Sequence, residues 1–334
     1  MMRSTSHTHL PEIPLLELEG ANWPIAALRQ ETKRANTLLD AATGLYPAVI
    51  LKFGDAISRR WLVRSGNPHA SEIDTIAHHI GRAGVHYLNV SYEWGCTTYA
   101  GPDPDGRTAR LVRVLDWPDR GLGRYLVAVR IRGAAGSWIN LTWPGYTGVL
   151  QALAPGRFAA ALNQAPMEKP VGLLPLDWAV NRARVWKRKC LTPAHLLRRV
   201  FETAESFAEA RRMLVETPIA LPTIYTLSGL RPEEACIIER LEDDAHIIAG
   251  PASAANDWQA PNWRGRGRGE ENSERAIAMS EHACALYEDF LWLKPPVLNE
   301  RTRLALMADA ARGDVIVQGF ESDGPATQVL RLRE

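Results

Sequence analysis

Apolar residues recur at three- and four-residue spacing through 20–95, most clearly in WPIAALRQETKRANTLLDAATGLY, and this period predicts amphipathic helices. The pattern changes abruptly at Cys96. TTYAG, PDPDG and TARLVRVLDW read as strand, turn and strand. Tyr125, Val127, Val129 and Ile131 then alternate with less apolar neighbours, the period of a half-buried strand. SWINLTW and RFAAALN continue the sheet, and helical spacing returns over 177–215. PTIYTL, EACIIERL and AHIIAG predict three further short strands, followed by helices over 273–292 and 299–311 and a last strand near 328–332. No internal repeat is evident. Runs of strands followed by runs of helices, without strict alternation, predict an α+β fold with antiparallel sheets.

Composition narrows the class. The 334 residues are 46% hydrophobic and 23% charged, the balance of a packed globular chain. Lys and Arg number 39 against 38 Asp and Glu, so no basic excess is available to capture nucleic acid or an anionic membrane. Apolar stretches around 46–53 and 217–230 are too short, or too broken by Pro218 and Pro222, to span a bilayer. The N-terminal MMRSTSHTHLPEIPLLELEG lacks the continuous apolar run of a secretory signal. Four cysteines, at 96, 190, 236 and 284, do not make a disulfide framework. The expectation is a reduced, cytoplasmic protein in which the sequons at Asn89 and Asn140 are chance matches.

Standard catalytic signatures are missing: there is no GxSxG, P-loop, HExxH or CxxC. His7 with His9, and His78 with His79, are the only local metal candidates; adjacent residues diverge on a helix, so neither a metal nor a cofactor is expected. The RGRGRG run at 264–269 is followed by Glu270, Glu271 and Glu274 and lacks interleaved aromatic residues for base stacking. It reads as a solvated loop that could line the mouth of a site.

The informative segment is YLNVSYEWGCTTYAGPDPDGRTARLVRVLDWP, residues 87–118. Asp103-Pro104-Asp105-Gly106 has the preferences of a type I turn, and closing a hairpin at 103 and 106 sets Cys96 directly opposite Arg113. A guanidinium beside a thiol lowers the thiol pKa. Asp116, at the end of the same strand, could orient that arginine. The plain alternative is a buried structural cysteine and an ordinary surface arginine.

LNVSYEWGCTT followed by RVLDWP closely resembles the junction in acid ceramidase and N-acylethanolamine-hydrolysing acid amidase, which belong to the N-terminal-nucleophile cysteine hydrolases. GYTGVLQALAPGRFAAALNQ, SAANDW and NSERAIAM resemble later segments of that family. The family's Asn-Glu-Arg stands here as Asn163-Gln164-Ala165, without its charges, and Val114 replaces an asparagine often found after the arginine. The resemblance implies a four-layer α/β/β/α sandwich, cleavage between Gly95 and Cys96, and two parts: a helical pro-segment, 1–95, and a catalytic part, 96–334, which persist as a small α and a larger β subunit. The implied activity is hydrolysis of linear N-acyl amides, fatty-acyl, N-acylethanolamine or ceramide-like, and that small-molecule substrate is the expected partner.

On this reading Cys96 is the nucleophile. Its freed α-amine, with a pKa of about 7.7–8.0, supplies the base and acid that a Ser/His/Asp set would otherwise provide. Arg113 and Asp116 hold the thiol and amine, Asn256 and secondarily Asn163 donate to the oxyanion, and Arg275 lies near the nucleophile. Gly95 offers a scissile bond that tolerates strain. Trp94, Trp117, Trp143, Tyr146 and Trp258 are candidates to line an acyl pocket, against ordinary core packing. Acyl transfer to an amine, or a non-catalytic binding protein on the same fold, are the rival outcomes.

Overall fold

A computed structural model of the chain describes residues 10–44, 46–90, 95–283 and 290–334. It begins with strand β1 (Leu15–Glu19) and helices α1 (Trp23–Gln30), α2 (Thr32–Thr43), α3 (Ala48–Arg64), α4 (Ala70–Ile80) and α5 (Val85–Asn89). Strands β2 (Gly95–Pro102), β3 (Ala109–Asp116), β4 (Val127–Gly133), β5 (Gly136–Thr142), β6 (Gln151–Ala154) and β7 (Phe158–Gln164) follow. Helices α6 (Leu174–Lys187), α7 (Pro193–Thr203) and α8 (Phe207–Glu216) lead to β8 (Thr223–Ser228), β9 (Ala235–Arg240), β10 (Ala245–Ala249) and β11 (Ala252–Ala254). Helix α9 (Asn272–Ala283) and strands β12 (Thr302–Asp309), β13 (Asp314–Glu321), β14 (Gly324–Pro325) and β15 (Leu330–Arg333) close the chain.

Two sheets stack. One runs β1-β4-β5-β6-β7-β8-β9-β10 and the other β11-β2-β3-β12-β13-β14, with β15 on β13. Apart from the parallel β1–β4 pair, the sheet neighbours are antiparallel. Helices α7 and α8 cover the first sheet, where Phe201 stacks on Trp138 and packs tilted against Phe158. Helix α9 covers the second, with Met279 among Val112, Val114 and Ala305. This is the expected α/β/β/α sandwich, with α1–α5 as an additional helical layer built on Leu28, Leu39, Trp61, Leu62, Ile73 and Ile76.

Three expectations need correction. The segment before Cys96 is not purely helical, because Leu16 and Leu18 are buried while Glu17 and Glu19 are exposed, and this alternation makes β1 an edge strand. Residues 302–309, expected as helix, form β12: it lies between β3 and β13 and is buried on both faces, so an unbroken apolar run fills 304–308 and no period of two shows. Strand β13 was not foreseen. The helix expected to 292 is α9, ending at Ala283 among the described residues.

The β2–β3 hairpin is real, but its register is offset by two. Cys96 pairs with Leu115 and Thr98 with Arg113. The expected turn forms, with the Gly106 N–H donating to the Asp103 carbonyl at 2.8 Å, but Gly106 then takes a left-handed φ of +70°. The strands therefore close one pair later, where the Asp103 N–H donates to the Thr108 carbonyl at 2.8 Å.

Candidate active site

Strand alternation sorts the site into two faces. Cys96, Leu115 and Trp117 point into the layer between the sheets, whereas Tyr99, Val112 and Val114 point toward α9. An offset of two preserves the face, so Arg113 is a diagonal neighbour of Cys96, and a long side chain spans that distance. Its Nη2 donates to Cys96 Sγ at 3.1 Å, and Nη1 donates to the Leu162 carbonyl at 2.7 Å and to Asn163 Oδ1 at 3.3 Å. Cys96 and Arg113 are both fully buried. The net effect on the thiol is the reverse of that expected: burial pushes it up to about 11, Arg113 opposes the rise, and Asp116 adds to it.

Asp116 does not orient Arg113. Three residues apart on a strand, the two point to opposite faces, and Asp116 pairs instead with Arg275 from the first turn of α9, Nη1 to Oδ2 2.9 Å. Asp116 Oδ1 accepts from Thr302 Oγ1 at 2.9 Å. Burial holds the Asp116 carboxyl above the usual range, with Arg275 as the largest opposing influence. Arg275 Nη1 also reaches Thr97 Oγ1 at 3.1 Å and the Cys96 carbonyl at 3.3 Å, and Nη2 reaches Asn272 Oδ1 at 2.7 Å and Asn256 Oδ1 at 3.3 Å.

Asn256 follows β11 and holds the backbone nitrogen of Cys96. Its Oδ1 accepts from the Cys96 N–H at 2.6 Å, and its Nδ2 donates to the Gln164 carbonyl at 2.8 Å. The Cys96 N–H must donate, which fixes the orientation of the amide. The Nδ2 of Asn163 lies within reach of Thr98 Oγ1 at 3.1 Å and of the Ala255 and Ala254 carbonyls at 3.2 and 3.3 Å. Both amides expected to serve an oxyanion therefore already donate elsewhere. Gly95 is an ordinary strand residue: it has no positive φ, and a Cβ there would meet Asp116 Cβ at 3.4 Å, plain van der Waals contact. The conformational freedom of glycine is therefore not used at this position through a left-handed φ.

Sequence reasoning missed Thr97, Thr302 and Asn272. Asn272 accepts from both Asn256 N–H, at 3.1 Å, and Arg275, and its position three residues before Arg275 on α9 is the signal that could have found it.

No family model matches the chain. An acid ceramidase of Heterocephalus glaber is 29% identical over 104 residues, 31% of this chain and 25% of that protein. The Homo sapiens acid ceramidase is 30% identical over 99 residues, 30% of this chain and 24% of that protein. The chain spans about a quarter of the length of the curated relatives it matches. A Caenorhabditis elegans N-acylethanolamine-hydrolyzing acid amidase ortholog superposes with a TM-score of 0.51 at 18% identity, covering 71% of this chain and 100% of that one. The chain is similar to acid ceramidases in sequence and to an acid amidase in fold.

Within this acid-amidase-like fold, two cavities flank the end of β3. Trp117, Trp143 and Tyr146 line an apolar cavity of about 80 Å³, closed from the other side by Leu38, Leu39 and Leu88. The Trp117 and Trp143 rings lie 6.2 Å apart, and those of Trp143 and Tyr146 6.3 Å. Trp258 is elsewhere, edge-on to Trp263 at 5.0 Å, and does not join them; Trp94 lies outside the described residues. The second cavity, about 490 Å³ and polar, is lined by Gly95, Asp116, Gln164, Arg268, Arg275 and Glu271. The Arg-Gly run borders it and is not free in solvent, since Arg266 and Met167 exchange backbone hydrogen bonds at 2.7 and 2.9 Å and the Arg268 N–H donates to the Asn256 carbonyl at 3.1 Å. Among the described residues no three metal-ligating side chains cluster, and no helix is long and apolar enough to cross a membrane. His7 and His9 lie outside the described residues; His79 Nε2 is 3.2 Å from Thr32 Oγ1.

Proposed function

We propose that the protein is a self-activating N-terminal-cysteine amidase that hydrolyses linear N-acyl amides, matured by cleavage between Gly95 and Cys96 into segments 1–95 and 96–334 that stay together. The observation that carries this reading is that Cys96 is held at both reactive atoms, its thiol by Arg113 and its backbone nitrogen by Asn256. Similarity to acid ceramidases and an acid amidase supports the reaction class.

In maturation, Cys96 Sγ attacks the Gly95 carbonyl, the C–N bond breaks as the nitrogen takes a proton, and water hydrolyses the resulting thioester. The products are a Gly95 carboxylate, a free thiol and a free α-amine. That amine, near neutral in pKa, then takes the thiol proton as Sγ attacks a substrate carbonyl and returns it to the departing amine. Water cleaves the acyl thioester to complete the cycle. Asn256 would stabilise the oxyanion only after its Nδ2 leaves the Gln164 carbonyl, a rearrangement that loss of the 95–96 bond permits. The leaving amine must lie within reach of the α-amine; since Gly95, on the other side of the cleaved bond, lines the polar cavity, the amine is assigned to that side and the acyl chain to the aromatic side.

The test is incubation of purified protein with fatty-acyl amides, N-acylethanolamines and ceramides, reading amine and free acid together with intact mass. Free amine and acid, with fragments of 95 and 239 residues out of 334, are expected. A new amide in place of the acid would make the protein a transferase, and an uncleaved chain with an unreactive thiol would leave a binding protein.

A further inference from the structure

A buried polar chain, which meets the aromatic cavity at its Asn89 end, joins the helical layer to the sheets. His195, in α7, is fully buried. Its Nδ1 lies 2.9 Å from Asn67 Nδ2, and its Nε2 lies 3.0 Å from Thr147 Oγ1. Asn67 Oδ1 already accepts the His69 N–H at 3.0 Å, so the group facing His195 is the amide donor and Nδ1 must accept. The imidazole is thereby fixed as the neutral Nε2–H tautomer. Nε2–H donates to Thr147 Oγ1, Thr147 donates to Asn89 Oδ1 at 2.9 Å, and Asn89 Nδ2 donates to the Val85 and Gly145 carbonyls at 3.0 and 3.2 Å. Every hydrogen bond runs in one direction, and the chain crosses between segments three times: Asn67 and Asn89 precede Cys96, while His195, Thr147 and Gly145 follow it.

We propose that this Asn67–His195–Thr147–Asn89 chain is an acid-sensitive latch, in which protonation of His195 sets two donors against each other at Asn67 and loosens α4 and α5 from the sheets. The surrounding charges offer His195 no anion of its own. Just before α4, the His69 ring lies 4.6 Å away, tilted by 45°, and its Nδ1 is 3.4 Å from Glu72 Oε2. From α7, Arg198 takes Glu72 at 2.5 Å and Glu202 at 2.8 Å, so Glu72 is already committed to Arg198. In α5, His86 pairs with Asp74, which Arg59 of α3 also binds, and Tyr146 is the one titratable group in the 143–148 loop. Burial, with His69 and Arg198 adding, holds the imidazole well below its ordinary value. A histidine kept neutral in the closed form costs the latch up to tenfold per pH unit once the pH falls below its free value of about 6.5.

The test uses full-length protein carrying Cys96→Ala, so that the chain stays in one piece. Amide hydrogen exchange of α4 and of β7 is followed from pH 7.5 to 5, corrected for the intrinsic rate at each pH. Protection of α4 is expected to fall by up to tenfold per unit below about pH 6.5 while β7 is unchanged. His195→Gln should abolish the dependence. Asn67→Asp should reverse it, because a carboxylate accepts from a protonated Nδ1 while its other oxygen keeps the His69 N–H. The latch is refuted if α4 protection in the parent does not fall, if α4 and β7 lose protection together, if His195→Gln keeps the parent's slope, or, should that variant not fold, if Asn67→Asp behaves like the parent.

Discussion

Replacing Arg275 by Met keeps an aliphatic stem in place but strands the Asp116 carboxylate. Both side chains are almost wholly enclosed, 3% and 5% exposed, and are joined at 2.9 Å. Removing one partner of such a pair costs about 3–5 kcal/mol, because the remaining charge has neither water nor counter-ion. The sign of the pH dependence follows from Asp116. Burial already raises its folded pKa above the unfolded value of about 3.9, and Arg275 is the largest influence holding it down. Without Arg275 the folded pKa rises further. A carboxyl with a raised folded pKa loses stability as pH climbs from its unfolded toward its folded value, by about 1.4 kcal/mol per unit. The penalty of Arg275→Met should therefore be larger at pH 7.5 than at pH 5. Urea unfolding followed by tryptophan fluorescence, in a Cys96→Ala background, measures both. Adding Asp116→Asn should recover part of the loss at pH 7.5 and remove the difference between the two pH values. An equal penalty at both pH values, or a double variant no better than Arg275→Met alone, would overturn the reasoning.

Other outcomes follow from the same geometry. Gly95→Ala should fold and cleave like the parent by intact mass, since its Cβ meets nothing closer than 3.4 Å. Arg113→Ala should slow alkylation of Cys96, read by peptide mapping, because the cation that opposes the rise of the thiol toward 11 is gone. Asn256→Ala should cost about 1–3 kcal/mol for each of the two buried groups it abandons, the Cys96 N–H and the Gln164 carbonyl. If its amide serves the oxyanion after cleavage, kcat should also fall by about 10²–10³ with little change in KM.

How much of this was legible varies with what each residue faces. Half-buried elements announced themselves: α2 and β4 carry clean periods, and both were read from spacing alone. Strand β12 did not, because Leu304 and Leu306 face one core while Ala305 and Met307 face another, so burial on both sides erased the alternation. The aromatic residues divide similarly. Trp117, Trp143 and Tyr146 converge because β3 and the 143–148 loop end together, whereas Trp258 follows Asn256 into a turn toward Trp263; two residues of sequence separation do not carry direction once a strand has ended. For Asn272 only the spacing of three from Arg275 is legible in the sequence; its bond to Asn256 exists only after β11 and α9 have packed.

Parity explains which errors at the site mattered. A hairpin register wrong by two moves residues along the strand but leaves each on its own face, so Arg113 still met Cys96. A spacing of three changes face, so Asp116 could never reach that guanidinium. The separation has a chemical consequence. Asp116 raises the thiol's pKa through its charge, and a carboxylate in the inter-sheet layer beside Sγ would raise it further. On the α9 face it is instead covered by Arg275, which also holds the carbonyl of Cys96 and the oxygen of Asn256. Each face thus receives one arginine: Arg113 acts on the thiol, and Arg275 on the backbone around it. A substitution at Arg113 should therefore be read first in thiol reactivity, and one at Arg275 first in stability, even though both side chains lie within hydrogen-bonding distance of the same cysteine.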